Sequence, residues 1–370
     1  MEATDQSPSW MNKPRSGLTH TYTDRFGRTH TVPVRYPGVK RAPLAQAETV
    51  APGLFHTAFA LEGFHFCDRI DVYAVGDGEG ALVVDTAHRD LCGEEFLDQL
   101  VEATGAGWDR TRLFLTHLHD DHVGNVPYCL DQGTSAVYRG SCIPFSQAAV
   151  QELLHVTGSR RAGETELDDF TGFLLGEGNP LFSLEPPVVE ADEGASFDVA
   201  GWHLEVLDTP GHTAEHRCLV EPERGVLFAG DHLIFGAPGV MQLRSGQHLL
   251  RDYLTSMDGL RRRNLKTALL SHHEALTSTD DINGLIDRIV QAHEHPLEKT
   301  LGILRERGPL TVHEAAEAYD AKRPGGLAAQ ACGIRVRRIA TMFGYLDYLV
   351  DTEQAIGHTD DEGVFVYEAR

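Results

Sequence analysis

The sequence predicts an α/β body followed by a smaller α+β module, and three observations carry that reading. Through the middle of the chain short apolar runs alternate with stretches of helical period, as where "RLFLTH" follows "DLCGEEFLDQLVEAT". Ionisable residues collect where those apolar runs end. Beyond residue 280 the strand pattern gives way to three helical stretches and a terminal hairpin. At 370 residues the chain is long enough for one large core plus an accessory module.

Residues 1–43 are polar and punctuated by proline, with "THTYTDRFGRTHTVPVRY" offering two short alternating runs around the turn-like "DRFGR". They read as an N-terminal extension. Residues 44–280 form the main domain. It opens with strands in "GLFHTAFALEG" and in "RIDVYAVGDGEGALVVDTA", where two apolar runs meet across a Gly/Asp turn as in a hairpin. The helix over 90–104 and the strand of "RLFLTH" come next. Residues 140–183 are an insert of two helical pieces rich in Phe and Leu, placed to cover a cleft. Strands resume at "GWHLEVLDTPGHT", "HRCLVEP" and "GVLFAGDHLI", then the amphipathic helix "LLRDYLTSMDGLRRR" and the strand "TALLSHHE". Residues 281–370 hold a long helix from "INGLIDRIVQAHEHP" onward, a shorter one in "TVHEAAEAY", a third in "AQACGIRVRRIATMFGYLDYLV" and a last hairpin. Three helices and a hairpin are the parts of a winged-helix-like α+β module.

Asp and Glu outnumber Lys and Arg 55 to 32, a formal net charge of −23. Such a surface repels phosphate-rich partners and argues against a general nucleic-acid binder. The first forty-odd residues are an exception, with an excess of Lys and Arg that could dock on the body or on a second subunit of a homo-oligomer. Six scattered cysteines without a CxxC read as free thiols of a reducing compartment. No run approaches the roughly 18 apolar residues of a membrane span, and the N-terminus shows no apolar signal core. A cytoplasmic protein without membrane association is expected.

The chemistry concentrates in "LFLTHLHDDHVGN", where His117, His119, Asp121 and His122 follow a buried-looking strand. Buried unpaired, these groups would carry a heavy desolvation cost. Extended backbone sends His117 and His119 to one side, and the turn after them brings Asp121 and His122 round to the same space. Neutral imidazole and carboxylate are the donors that borderline divalent metals such as zinc prefer. Further donors stand at the ends of other apolar strands: His212, Asp231, and the pair His272 and His273. Ligands at strand ends of an open sheet converge on one crevice, and with one histidine taken from the late pair, seven donors suit two ions.

With these residues in place the sequence resembles the metallo-β-lactamase-fold superfamily of metallohydrolases, over roughly residues 50 to 275. The leading hairpin, "THLHDDHVGN", "TPGHTAEH", "FAGDHL" and "LLSHHE" fall in the family's order. The resemblance implies an αββα sandwich and a subgroup that ends in a winged helix. It implies that His117, His119 and His212 hold one Zn2+, that Asp121, His122 and the late histidine hold a second, and that Asp231 bridges them. Fe or Mn are the alternative ions. Here the last motif reads Ser271, His272, His273, Glu274, and aligning the preceding strand favours His273 as the ligand, with His272 beside it in a supporting or substrate-facing role. Asp85, Thr213, His216 and His232 are expected to support the ligands from just outside.

The bridging Asp231 departs from the true β-lactamases of this fold, which lowers antibiotic hydrolysis among the expected activities. The resemblance implies a metal-bridging hydroxide that attacks a carboxylic ester, thioester or lactone, with Asp121 as the catalytic carboxylate. An apolar substrate portion is expected from the Phe-rich insert, through Phe145, Phe170 and Phe173. Two alternatives stay open, a metal-dependent phosphodiesterase or nuclease and a mononuclear iron enzyme like the persulfide dioxygenases. A small-molecule substrate is expected ahead of nucleic acid, because the basic stretches "RVRRIA" and "LRRRN" suit the solvated face of a helix.

Overall fold

Strands with apolar residues on both sides need cover on both faces, and the protein supplies it with two facing sheets clad in helices. A computed structural model describes residues 19–23, 29–33, 40–41, 47–62, 69–88, 94–142, 147–164, 188–235, 239–330 and 332–370. The extension contains the antiparallel pair β1 (Thr19–Thr23) and β2 (Thr29–Pro33) on either side of the expected turn. It also lends β3 (Lys40–Arg41) to the main body, paired with Leu61 and Glu62.

The first sheet runs from β3 through β5 (Leu54–Glu62), β6 (Arg69–Gly76), β7 (Ala81–Val84), β8 (Thr111–Leu115) and β9 (Ala136–Arg139) to β10 (Val188–Glu190), with β4 (Glu48–Ala51) also on β5. The β6–β7 hairpin pairs Tyr73 with Val84, as the sequence predicts, and β8 then adds in parallel to β7. The second sheet has the order β11 (Ser196–Val199), β12 (Trp202–Asp208), β13 (Arg217–Glu221), β14 (Val226–Gly230) and β15 (Thr267–Leu270).

Alternation along each strand divides the core into layers. On β6, Tyr73 and Val75 face the second sheet, where Trp202, Leu204, Leu219 and Phe228 meet them. Ile70, Val72 and Ala74 point the other way, onto Phe96, Leu97 and Leu100 of α1 (Glu94–Thr104) and Val126 and Cys129 of α3 (Val126–Gln132). The outer face of the second sheet, through Cys218, Val220, Leu227 and Ala268, carries two helices. Of these, α5 (Leu249–Arg261) brings Tyr253 and Met257, and α6 (Thr279–Arg307) brings Ile282, Leu285 and Ile289. Helix, sheet, sheet, helix is the sandwich expected.

The α6 helix does not stop at the edge of this core. Ser278 caps its start by accepting from the Asp281 amide, and 20-odd residues later Leu301 and Leu304 enter a second core. That core belongs to β16 (Leu310–Thr311), α7 (Val312–Asp320), α8 (Cys332–Asp351) and the hairpin of β17 (Ala355–Thr359) and β18 (Phe365–Ala369), so a mixed helical and β module follows the sandwich. Thr311 and Glu314 form a reciprocal cap at the start of α7.

Of the insert expected to cover a cleft, residues 140–142 and 147–164 are described. Its helix α4 (Gln147–Val156) buries Val150, Leu153 and Leu154 among Val336, Phe343 and Leu346 of the C-terminal module. Phe145, Phe170 and Phe173 lie outside the described residues. No helix is long and apolar enough to cross a membrane, and Cys129, Cys142, Cys218 and Cys332 are free thiols, both among the described residues.

Candidate metal centre

Five loops at one end of the sandwich bring the polar residues together. Strand β8 ends at Leu115, and the Thr116 carbonyl accepts from the Arg217 amide of β13, which ties the two sheets at that level. His117 follows, and His119 caps the one-turn helix α2 (Asp120–Val123), whose turn swings Asp121 and His122 back toward it. His212 comes from the loop after β12, Asp231 directly follows β14, and His272 stands two residues past β15.

The donors fall into two groups. In the first, His119 Nδ1 lies 2.9 Å from both His117 Nε2 and His212 Nε2, and Asp231 Oδ2 is 3.5 Å from His212 Nε2. In the second, His272 Nε2 sits 3.4 Å from Asp121 Oδ2, beside His122. Asp231 reaches both. Its Oδ1 is 3.2 Å from His272 Nε2 and 3.4 Å from His122 Nε2, while its Oδ2 faces the first group.

The late histidine therefore corrects the expectation. It is His272, not His273, that enters the cluster, because its Nδ1–H donates to the Arg69 carbonyl at 2.9 Å and turns Nε2 inward. His273 is exposed, donates to the Glu274 carbonyl at 3.1 Å, and stacks on Phe235 at a centroid distance of 4.1 Å.

The surrounding hydrogen bonds fix which nitrogen is left bare. Asp85 is buried in a left-handed conformation (φ 64°) that short polar side chains tolerate. Its carboxylate accepts from the Thr116 amide and hydroxyl, both at 2.8 Å, and from His122 Nδ1–H at 2.8 Å. The Thr116 hydroxyl, having given its proton to Asp85, accepts from His117 Nδ1–H at 3.1 Å. His117, His122 and His272 thus all present Nε2 lone pairs to the centre.

Electrostatics separate the imidazoles. Burial pushes His117 well below its ordinary value, and burial beside His119 takes His212 down to about 3. His122 goes the other way: burial opposes the proton, but the carboxylates of Asp231, Asp85 and Asp121 outweigh it and raise the group well above its ordinary value. Asp231 is held well below the carboxylate range, burial being overcome by His272 and His122, and Asp121 is lowered by His122 and His272 in the same way. Neutral imidazoles and ionised carboxylates are the forms that ligate.

These residues fit metal cations, with donors in two groups. His122 Nε2 and Asp231 Oδ1 are buried with no hydrogen-bond partner, and three ring nitrogens at 2.9 Å from their neighbour are more than one proton can serve. Two carboxylates that stay ionised under burial ask for positive charge at the same place.

Among the expected supporting residues, the ring of His216 stacks on His117 at 5.1 Å and its Nδ1 meets Thr209 Oγ1 at 2.9 Å. His232 donates through Nε2–H to Ser256 Oγ at 2.8 Å. Thr213 keeps its hydroxyl buried without a partner beside His212. Sequence reasoning missed α5 as a support. Tyr253, fully buried, donates from its hydroxyl to the His232 carbonyl at 2.9 Å, next to Asp231, while its ring fills the space beside Gly211, next to His212. Gly211 has φ 150°, and a Cβ there would stand 2.2 Å from the ring, so residues flanking two donors rest on one tyrosine. A signal existed: "TSMDG" continues a helix whose apolar face had to pack on strands that end in ligands.

Comparison with known proteins agrees on the fold. The chain is 23% identical over 255 residues to the lactamase-like protein aptB of Emericella nidulans, covering 66% of each chain. It is 24% identical over 194 residues to the atrochrysone carboxyl ACP thioesterase AgnL7 of Paecilomyces divaricatus, covering 52% of this chain and 48% of that one. The chain thus spans about half to two thirds of the length of such relatives. A solved metallo-beta-lactamase family protein from Thermus thermophilus superposes with a TM-score of 0.60 at 22% identity, over 87% of this chain and all of that one. A beta-lactamase domain protein from Burkholderia ambifaria does so with a TM-score of 0.64 at 19% identity, over 88% and 93%. The family described as the metallo-beta-lactamase superfamily matches residues 66–272, more than half of the chain, and the chain belongs to it.

Proposed function

We propose that this protein is a hydrolase working with two divalent cations, and that it cleaves a carboxylic ester, thioester or lactone with an apolar portion. The observation that carries the reading is Asp231, which turns one carboxylate oxygen to each donor group. His117, His119 and His212 would hold one ion, and Asp121, His122 and His272 the other. Mixed imidazole and carboxylate donors suit zinc, with Fe or Mn as alternatives. Bound there, a cation pair supplies Lewis acidity that polarises a carbonyl and makes water a nucleophile near neutral pH.

The chain's own residues do the rest. Asp85 and the Arg69 carbonyl hold His122 and His272 with Nε2 toward the centre, and His122, whose proton the surrounding carboxylates favour, would give that proton up as an ion binds. Asp121 is the more open of the two central carboxylates, 20% exposed against 7% for Asp231. It takes the proton released as water adds to the carbonyl and returns it to the departing oxygen or sulfur. Likeness to proteins named acyl-carrier thioesterases supports a thioester among the candidate bonds.

The basic stretches support a small substrate over nucleic acid. Arg335 is buried against Glu164, Arg338 is bound to Asp320 and lies over Tyr319, and Arg261 pairs with Asp287. Cations engaged in this way are poorly placed for a phosphate backbone. The winged-helix-like module then serves as packing for α4 and α6.

Elemental analysis joined to a substrate panel tests the proposal. Two zinc ions per chain and turnover of a chromogenic acyl ester or thioester are expected. Activity confined to bis-p-nitrophenyl phosphate would replace it with phosphodiester cleavage, and one iron per chain with oxygen uptake would replace it with an oxidative reaction.

A further inference from the structure

Two of the ligand-bearing loops touch through side chains that take no part in the donor groups. Phe235 lies four residues after Asp231, and His273 directly follows His272. Their rings lie at 4.1 Å with 30° between planes, so the contact joins two loops that each carry a donor. Helix α6 adds Arg288, whose guanidinium carbon is 5.6 Å from the Phe235 ring centroid. Arg288 is exposed and forms no ion pair among the described residues. The one acidic neighbour of His273 in the chain, Glu274, reaches Arg69 at 3.3 Å. His273 uses Nδ1–H on a backbone carbonyl, which leaves Nε2 for a ligand.

An aromatic face 42% exposed, a guanidinium without a carboxylate partner among the described residues and an imidazole nitrogen left open to a ligand stand together on these loops and α6. On a chain of net charge −23 they make a local exception. We propose that Phe235, His273 and Arg288 form a subsite for an anionic group of the substrate, a carboxylate or a phosphate, with the adjoining apolar segment packed on Phe235. The proposal rests on the hydrolase reading above and narrows its substrate class to acyl compounds that carry a negative charge away from the scissile bond. That charge belongs either to the acyl part or to the leaving group, and guanidinium recognises both in the same bidentate manner.

The test has two arms and an independent measurement. The first arm compares the p-nitrophenyl monoester of glutaric acid with p-nitrophenyl butyrate. The second compares a coenzyme A thioester with the N-acetylcysteamine thioester of the same acyl group. In R288Q the ratio of kcat/KM for the anionic over the neutral member falls about tenfold, through KM, in the arm that carries the natural charge. H273A moves the ratio in the same direction, and R263Q, an exposed arginine elsewhere, leaves it unchanged. Calorimetric titration of the zinc-loaded protein with 2-naphthalenesulfonate, an aromatic anion and a poor zinc ligand, needs no turnover. R288Q binds it about tenfold more weakly than the unaltered chain. If every acyl substrate is inert, the hydrolase reading fails and the titration alone decides the subsite. An unchanged ratio in both arms, or equal affinity for the sulfonate, overturns the proposal.

Discussion

At Ser271 the chain leaves β15, and which of two adjacent histidines turns inward is settled by a carbonyl some 200 residues earlier, that of Arg69. Replacing His272 by alanine should therefore lower the zinc content from two ions per chain toward one, with a loss of activity of about a hundredfold or more. Replacing His273 should leave the content at two; metal analysis of the two variants side by side checks both. The seven donors were legible because ionisable residues at strand ends have little other use. Their exact membership was not, since strand alignment favours His273 and no local pattern reports a hydrogen bond to the opposite sheet. Tyr253 makes the same point about reach. Its replacement by phenylalanine keeps the ring beside Gly211 but strands the His232 carbonyl, at a cost of about 1–3 kcal/mol. Weaker zinc retention against a chelator, in a protein whose far-ultraviolet spectrum is unchanged, is the expected result.

Most elements announce themselves through period: β6 and β7 through apolar runs across a Gly-rich turn, and α7 through the helical spacing of "TVHEAAEAY". Where sequence fell short, the missing information was which surface an element would find. The apolar face of α4 meets the C-terminal core, and Arg335 and Arg338 of the basic "RVRRIA" of α8 are engaged by Glu164 and Asp320. The α6 helix carries a titratable group in this packing. His293 is buried between Tyr253 and Tyr345, and burial lowers it to about 4. An unfolded chain takes up that proton near the ordinary imidazole value of 6.5, so the contribution is complete above 6.5 and is lost as pH falls toward 4. Urea denaturation of the unaltered chain and of His293→Phe should show the former losing about 2 kcal/mol more between pH 7 and pH 5.

Across the whole molecule, two cores share a single rod. Ile282, Leu285 and Ile289 of α6 belong to the sandwich and Leu301 and Leu304 to the C-terminal module, without a break in the helix. Gln242, after the Asp231 loop, is also fully buried and hydrogen-bonds Asp347 of α8. Such coupling predicts one calorimetric transition for both parts, where a flexible linker would give two. The sequence marks residue 280 as a boundary because its strand pattern gives way there; α6 begins at Thr279, and its first turns pack in the sandwich core.

The rod also limits how this tail can be exchanged. A tail taken from a cousin would have to be spliced inside α6 with its rotational phase kept, because each added or missing residue turns everything downstream by about 100°. One slipped residue would swing Leu301 and Leu304 out of their seat and drag α4 with them, so relatives with differently pitched tails should differ by whole turns at this joint.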